Sequence, residues 1–174
     1  RLEFDVLIAD LGSGAVKADY LYPGTVSEAE PVSDMIEDAD AIAGVNGSFF
    51  DINASKAPSG VGVSEEDGIV TIPAGTGDGE ITGSNIPVVF TPEGLAAFSG
   101  ITLTTETIHN GDLLDLEIVG VNSYLLSEGQ VGLFNHLWGD YTRDRALDGG
   151  TGTEVIINPD GVVTSVGIPT IGQL

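Results

Sequence analysis

Turn residues set the scale on which this chain can fold. Twenty-five glycines and eight prolines are spread through 174 residues, so apolar segments are cut short before long helices can form. Phe4–Ala9 and Val16–Leu21 alternate around Gly12-Ser13-Gly14 and read as a strand pair. Asp40–Val45 reads as a buried strand. Residues 60–63 and 69–72 flank Asp67-Gly68, a hairpin signal. A glycine-rich loop is expected over 73–85. Residues 87–91 and 95–98 flank Pro92-Glu93-Gly94, and 101–108 and 113–121 alternate as strands do. Residues 153–157 and 162–166 flank the turn Asn158-Pro159-Asp160-Gly161. Only 27–40 has helical spacing: Val32, Met35, Ile36 and Ala39 share a face, and Pro31 suits a first turn. Its acids Glu28, Glu30 and Asp34 lie toward the N-terminal end, where the helix dipole favours them. The pattern predicts one α+β domain over 1–174, mainly antiparallel β-sheet with one clear amphipathic helix.

Charge narrows the function classes. Five basic residues face 27 acidic ones, a net charge of −22. Nucleic acid is disfavoured as a partner, because phosphate contacts need clusters of Lys and Arg. An anionic membrane surface is disfavoured for the same reason. No apolar run approaches the roughly 20 residues a membrane helix needs, so no membrane insertion is expected. The acids are dispersed, the longest run being Glu65-Glu66-Asp67. Such a surface suits solubility, a salty or extracellular setting, or bound cations. The absence of cysteine excludes disulfides, thiolate zinc sites and a cysteine nucleophile. The chain opens on Arg1 rather than Met, as a processed piece of a longer protein does.

The chemistry concentrates at Gly44-Val45-Asn46-Gly47-Ser48-Phe49-Phe50-Asp51. An amide, a bare glycine, a hydroxyl, two rings and an acid follow an apolar segment, as a small polar site with apolar walls would require. Asn46 and Asp51 also fit an Asx turn and a strand-end cap, and Phe49 and Phe50 also fit a core. Ser48 has only His109 and His136 as possible bases, and neither has a diagnostic spacing to it. Gly120-Val121-Asn122-Ser123 echoes Gly44-Val45-Asn46-Gly47, so Asn122 is a candidate to face the same site. Asp51, Asn53 and nearby carbonyls are hard oxygen ligands of the kind that hold Ca²⁺. A hydrogen-bonded loop without metal is the competing reading. His136 with Asp140, and His109 with Asp112, are weaker divalent-ion pairs. Two sequons occur, at Asn46 and Asn53.

The stretch Ala43–Val63, with Asn46, Gly47, Ser48, Phe49, Phe50, Asp51, Pro58 and Gly60, resembles the signature of the phosphodiester glycosidase family. Asn122-Ser123 and Leu133–Arg143 are also similar to its bacterial secreted members. The resemblance implies a hydrolase of sugar-1-phosphodiester linkages in cell-surface or extracellular glycans, in the full-length protein. It implies a secreted or cell-surface location, bacterial in setting, and a glycan or sugar phosphodiester as partner. Asp51 and Asn46 would be catalytic. Gly47, Ser48, Asn122, Trp138 and Arg143 would bind substrate, with Trp138, Tyr141 and Arg143 able to form a sugar-stacking face. A packed aromatic turn is the alternative for that group.

One departure stands out. The family carries an Arg and an Asp-Gly-Gly-Gly-Ser signature late in its domain, whereas this chain has Asp148-Gly149-Gly150-Thr151-Gly152 before a hairpin. Read as a plain glycine turn, that stretch makes 1–174 an N-terminal piece, incomplete at its C-terminus. The anion-stabilising cation would then come from a missing segment or from a metal. A piece of this kind would be inactive alone. The alternative is a non-catalytic carbohydrate-binding or surface domain keeping the same fold.

Overall fold

The computed structural model describes residues 2–74, 87–91, 93–98, 103, 107–109, 112–114 and 117–171, with backbone only at 107–109 and 112–114. The fold is α+β and mainly sheet. Among the described residues there is one α-helix, α1 (Val32–Asp38). The strands are β1 (Gly62–Ser64), β2 (Gly68–Thr71), β3 (Val88–Phe90), β4 (Ala96–Phe98), β5 (Thr107–His109), β6 (Asp112–Leu114), β7 (Ile118–Val121), β8 (Val131–Leu133), β9 (Glu154–Ile157) and β10 (Val163–Gly167). Consecutive strands pair: β1–β2, β3–β4, β5–β6 and β9–β10 are antiparallel, and β7–β8 is parallel. No helix among the described residues is long and apolar enough to cross a membrane.

The hairpins form where turn chemistry is local. Gly68 takes φ +69° and closes β1–β2, with Ser64 Oγ accepting from the Asp67 amide at 3.0 Å. In β9–β10, Asn158 Oδ1 accepts from the amides of Asp160 (3.1 Å) and Val162 (2.9 Å), and Gly161 takes φ +77°. Both turns therefore satisfy their own backbone.

Two backbone hydrogen bonds between Ile72 and Val121 join β2 to β7. Ile72 and Val121 are buried there as a small apolar cluster of their own, beside a larger one that includes Val70 of β2. Val26, Ala57, Val70, Leu137 and Trp138 are buried together, flanked by Tyr20, Tyr22, Tyr124, Phe134 and Tyr141. Trp138 is fully buried, its indole N–H donates to the Tyr141 carbonyl at 2.8 Å, and its ring meets Phe134 edge-on at 5.0 Å. The amides of Val26 and Ser27 donate to the carbonyls of Leu137 and Trp138, at 2.7 and 3.0 Å.

Three expectations are corrected. Residues 4–9 and 16–21 make no strand pair. The turn Leu11–Ser13 with Gly14 at φ +70° does form, but the second arm docks on β1 instead. There Tyr20 lies against Gly62, Asp19 accepts from the Glu65 amide at 3.0 Å, and Lys17 pairs with Glu65. The first arm is left exposed. The helix is shorter than 27–40, because Ser27 is committed to Trp138 and Asp40 leaves helical space at φ +48°. Residues 40–45 are mostly exposed coil rather than a buried strand; the Asp40 and Ala41 amides donate to the Glu37 and Ile36 carbonyls of α1, at 3.1 and 2.9 Å, and Gly44 lies against Ile36. The reading of 73–85 as a loop falls mostly outside the described residues, as does most of 101–108.

Trp138 is the sole tryptophan, so its emission should be that of a buried indole and should follow unfolding. Trp138→Ala should cost about 3–5 kcal/mol. Urea titration followed by circular dichroism measures it, and a loss under about 1 kcal/mol would contradict this packing.

Candidate functional site

Asp51 sits where two short stretches pair in antiparallel fashion. Its amide donates to the Ala57 carbonyl at 2.9 Å, and the Ser59 amide donates to the Phe49 carbonyl at 2.7 Å. Between them the chain turns through Lys56 at φ +66°, with the Asp51 carbonyl accepting from Ala54 and Lys56. Asp51 Oδ2 then caps this loop, accepting from the Ser55 amide (3.0 Å) and hydroxyl (2.8 Å). To this extent Asp51 is the loop cap that its sequence position allowed.

The same carboxylate meets a cation from 94 positions away. Arg145 donates from Nε to Asp51 Oδ2 at 2.8 Å and from Nη2 to Oδ1 at 3.3 Å. Arg145 lies in the 3-10 turn Arg143–Leu147, which is fixed by buried Ala146, whose carbonyl accepts from the Leu126 amide at 2.8 Å. That bond brings 124–126 alongside. The Arg145 guanidinium lies 5.3 Å from the Tyr124 ring centroid, and the Tyr124 hydroxyl is 3.0 Å from Ser59 Oγ. A planar guanidinium is thus held by a forked carboxylate on one edge and a ring against its face.

The electrostatics favour ionised Asp51. Burial pushes its carboxyl up, but hydrogen bonds from Arg145 and from the Ser55 amide and hydroxyl outweigh burial and hold it below the usual carboxylate range. Asp51 is therefore a poor proton donor. Three hydrogen bonds crowd Oδ2, and a cation already lies beside the carboxylate. Both facts oppose the Ca²⁺ reading at Asp51 and Asn53. Asn53 is exposed, and no metal-holding group of three His, Cys, Asp or Glu exists among the described residues.

The other expected site residues separate into two groups. Asn46, Gly47 and Ser48 are exposed in the segment leading to Asp51. Among the described residues Asn46 makes no side-chain hydrogen bond and nothing lies within 4 Å of where a Gly47 Cβ would stand, while Ser48 Oγ packs on Gly60. Phe49 is 89% exposed, so it is no core residue. The second group is buried and structural. Asn122 is fully buried: its Nδ2 donates to the Val70 carbonyl (2.8 Å) and Asn135 Oδ1 (2.9 Å), and its Oδ1 accepts from the Asn135 amide (3.1 Å). With every polar atom engaged, it cannot bind substrate. Trp138 shows no face for a sugar. Arg143 is 4% exposed; it pairs with Glu154 and donates from Nη2 to Thr170 Oγ1 at 2.7 Å. It rivets β9–β10 to the 3-10 turn. The His109 side chain lies outside the described residues.

Arg145 and Tyr124 are the site residues that sequence reasoning missed. The signal for Arg145 was its rarity, one of five cations, just before Asp148-Gly149-Gly150. No family model matches this chain, and neither a curated protein nor a solved structure matches it.

Asp51 and Glu154 should give an acid-side loss of stability. Burial pushes Glu154 up as well, and hydrogen bonds from Arg143 and Thr170 bring it below its usual range. A carboxylate lowered in the folded state contributes stability above its unfolded pKa, near 4. The contribution disappears as pH falls through the lower folded value. The stability difference between wild type and Asp51→Asn, read from denaturation curves, should be about 1–3 kcal/mol at pH 7 and shrink below about pH 4. A difference that grows on acidification would contradict the assignment.

Proposed function

We propose that the full-length protein hydrolyses sugar-1-phosphodiester linkages in cell-surface or extracellular glycans. The observation that carries this reading is the forked Asp51–Arg145 pair beneath Tyr124. It joins the Asn46–Asp51 segment, which resembles the phosphodiester glycosidase signature, to the 3-10 turn just before Asp148-Gly149-Gly150, where the chain departs from that family's pattern. Arg145 answers the need for a cation at a non-bridging phosphate oxygen. Asp51 holds its guanidinium in place rather than acting as the proton donor. Water adds to the anomeric carbon as the bond from that carbon to the phosphate oxygen breaks; the phosphomonoester leaves as a dianion without needing a proton, and the proton shed by the added water passes to solvent. Asn46 and Ser48, exposed in the segment that leads to Asp51, offer hydrogen bonds to sugar hydroxyls.

A second reading is a non-catalytic glycan-binding domain. The exposed Phe49 ring favours it, lying next to Asn46, Gly47 and Ser48. A ring face with adjacent amide and hydroxyl groups is the chemistry of sugar binding.

The full-length protein assayed on a chromogenic sugar-1-phosphodiester separates the two. Arg145→Gln should lower kcat/KM by about 10²–10³-fold with folding retained. Phe49→Ala should mainly raise KM. Turnover indifferent to Arg145→Gln removes the hydrolase mechanism. Glycan binding that depends on Phe49, with no sugar released, selects the second reading.

A further inference from the structure

Arg145 is gripped unequally. Its Nε and Nη2 are forked on Asp51, whose side chain is 11% exposed. Its third nitrogen, Nη1, meets Asp148 Oδ1 at 3.4 Å, and the Asp148 side chain is 75% exposed. A charge-assisted hydrogen bond normally lies near 2.7–2.9 Å, so this contact is long and wet. Asp148 also stands on a turn, at φ +47°, followed by Gly149 at φ +80°. Its carboxylate can swing away without disturbing the buried core. It occupies the one edge of the guanidinium that Asp51 leaves open.

We infer that Asp148 is a displaceable counter-ion on the anion-receiving edge of Arg145, and that it selects singly charged oxyanions over doubly charged ones. This rests on the reading of Arg145 as the phosphate-facing group. One guanidinium flanked by two carboxylates leaves a local charge of −1. An incoming anion must push Asp148 aside and then remain near it. Coulomb repulsion scales with the charge of the incomer. A phosphodiester carries one negative charge. A phosphomonoester above its second pKa, near 6, carries almost two. Asp148 therefore penalises the product of phosphodiester cleavage about twice as strongly, in free energy, as it penalises the substrate. The residue is a specificity determinant that favours product departure; it need not touch the reacting carbon.

The test uses the folded chain, with dimethyl phosphate as the monoanion and methyl phosphate as the dianion. Both are titrated at pH 8 and constant ionic strength, with binding in wild type and variants followed by isothermal calorimetry. Asp148→Asn is the informative variant, because Asn keeps the shape and tolerates positive φ. It should tighten dimethyl phosphate binding by about 3-fold and methyl phosphate binding by about the square of that factor, as for loss of one exposed charge. Arg145→Gln should abolish both. If Arg145→Gln abolishes binding but Asp148→Asn tightens neither probe, or both equally, the counter-ion role is overturned and the phosphate-facing reading of Arg145 stands. If Arg145→Gln leaves binding unchanged, or neither probe titrates, both readings fall. Circular dichroism confirms that each variant is folded.

Discussion

The side chain of Asn122 joins parts of the chain that share no regular sheet. It sits at φ +48° just after β7, fully buried, and bonds to β2 through the Val70 carbonyl and to the 134–135 segment through both the amide and side chain of Asn135. Asn135 Oδ1 in turn caps the turn that carries Trp138, accepting from the Leu137 amide. Six polar groups that would each be costly to bury alone are satisfied by one another. The positive φ sends the chain out of the sheet, so that Tyr124 two residues later reaches Ser59 and Arg145. The site is thus positioned by a buried amide that never faces it.

Charge explains why so few cations suffice. The described basic residues are all engaged: Lys17 with Glu65, Lys56 with the Ile52 carbonyl, Arg143 with Glu154 and Arg145 with Asp51. The two arginines stand two residues apart on one 3-10 turn, yet their roles diverge. Arg143 is enclosed and fastens the C-terminal hairpin. Arg145 is 22% exposed and keeps an edge toward solvent. Lysine could not replace either forked geometry.

Legibility in the sequence followed the range of the interaction. The β1–β2 and β9–β10 hairpins were readable because Asp67-Gly68 and Asn158–Gly161 close their own turns. The α+β class followed from the same punctuation. Residues 4–9 and 40–45 had the right alternation and composition, but a strand also needs a partner edge, which no local pattern reveals. Asp51 was identified, though its partner 94 positions away could not be paired with it by spacing. Asn122 misled for a physical reason: an Asn after a strand serves an αL exit as readily as a ligand. Trp138 and Arg143 misled similarly, since polar and aromatic residues that look recognitive also serve to tie down a small core.

The β9–β10 hairpin is apolar along Val155, Ile157, Val162, Val163 and Val166, and these side chains face water. Two strands alone seldom hold together in water. This pair is moored mainly at one end, where Arg143 and Thr170 grip Glu154. A digestive protease of broad specificity would nick the chain there ahead of the interior. The bare strand rims, carrying few charges in an otherwise strongly anionic molecule, are also where neighbouring chains would first stick in a concentrated solution.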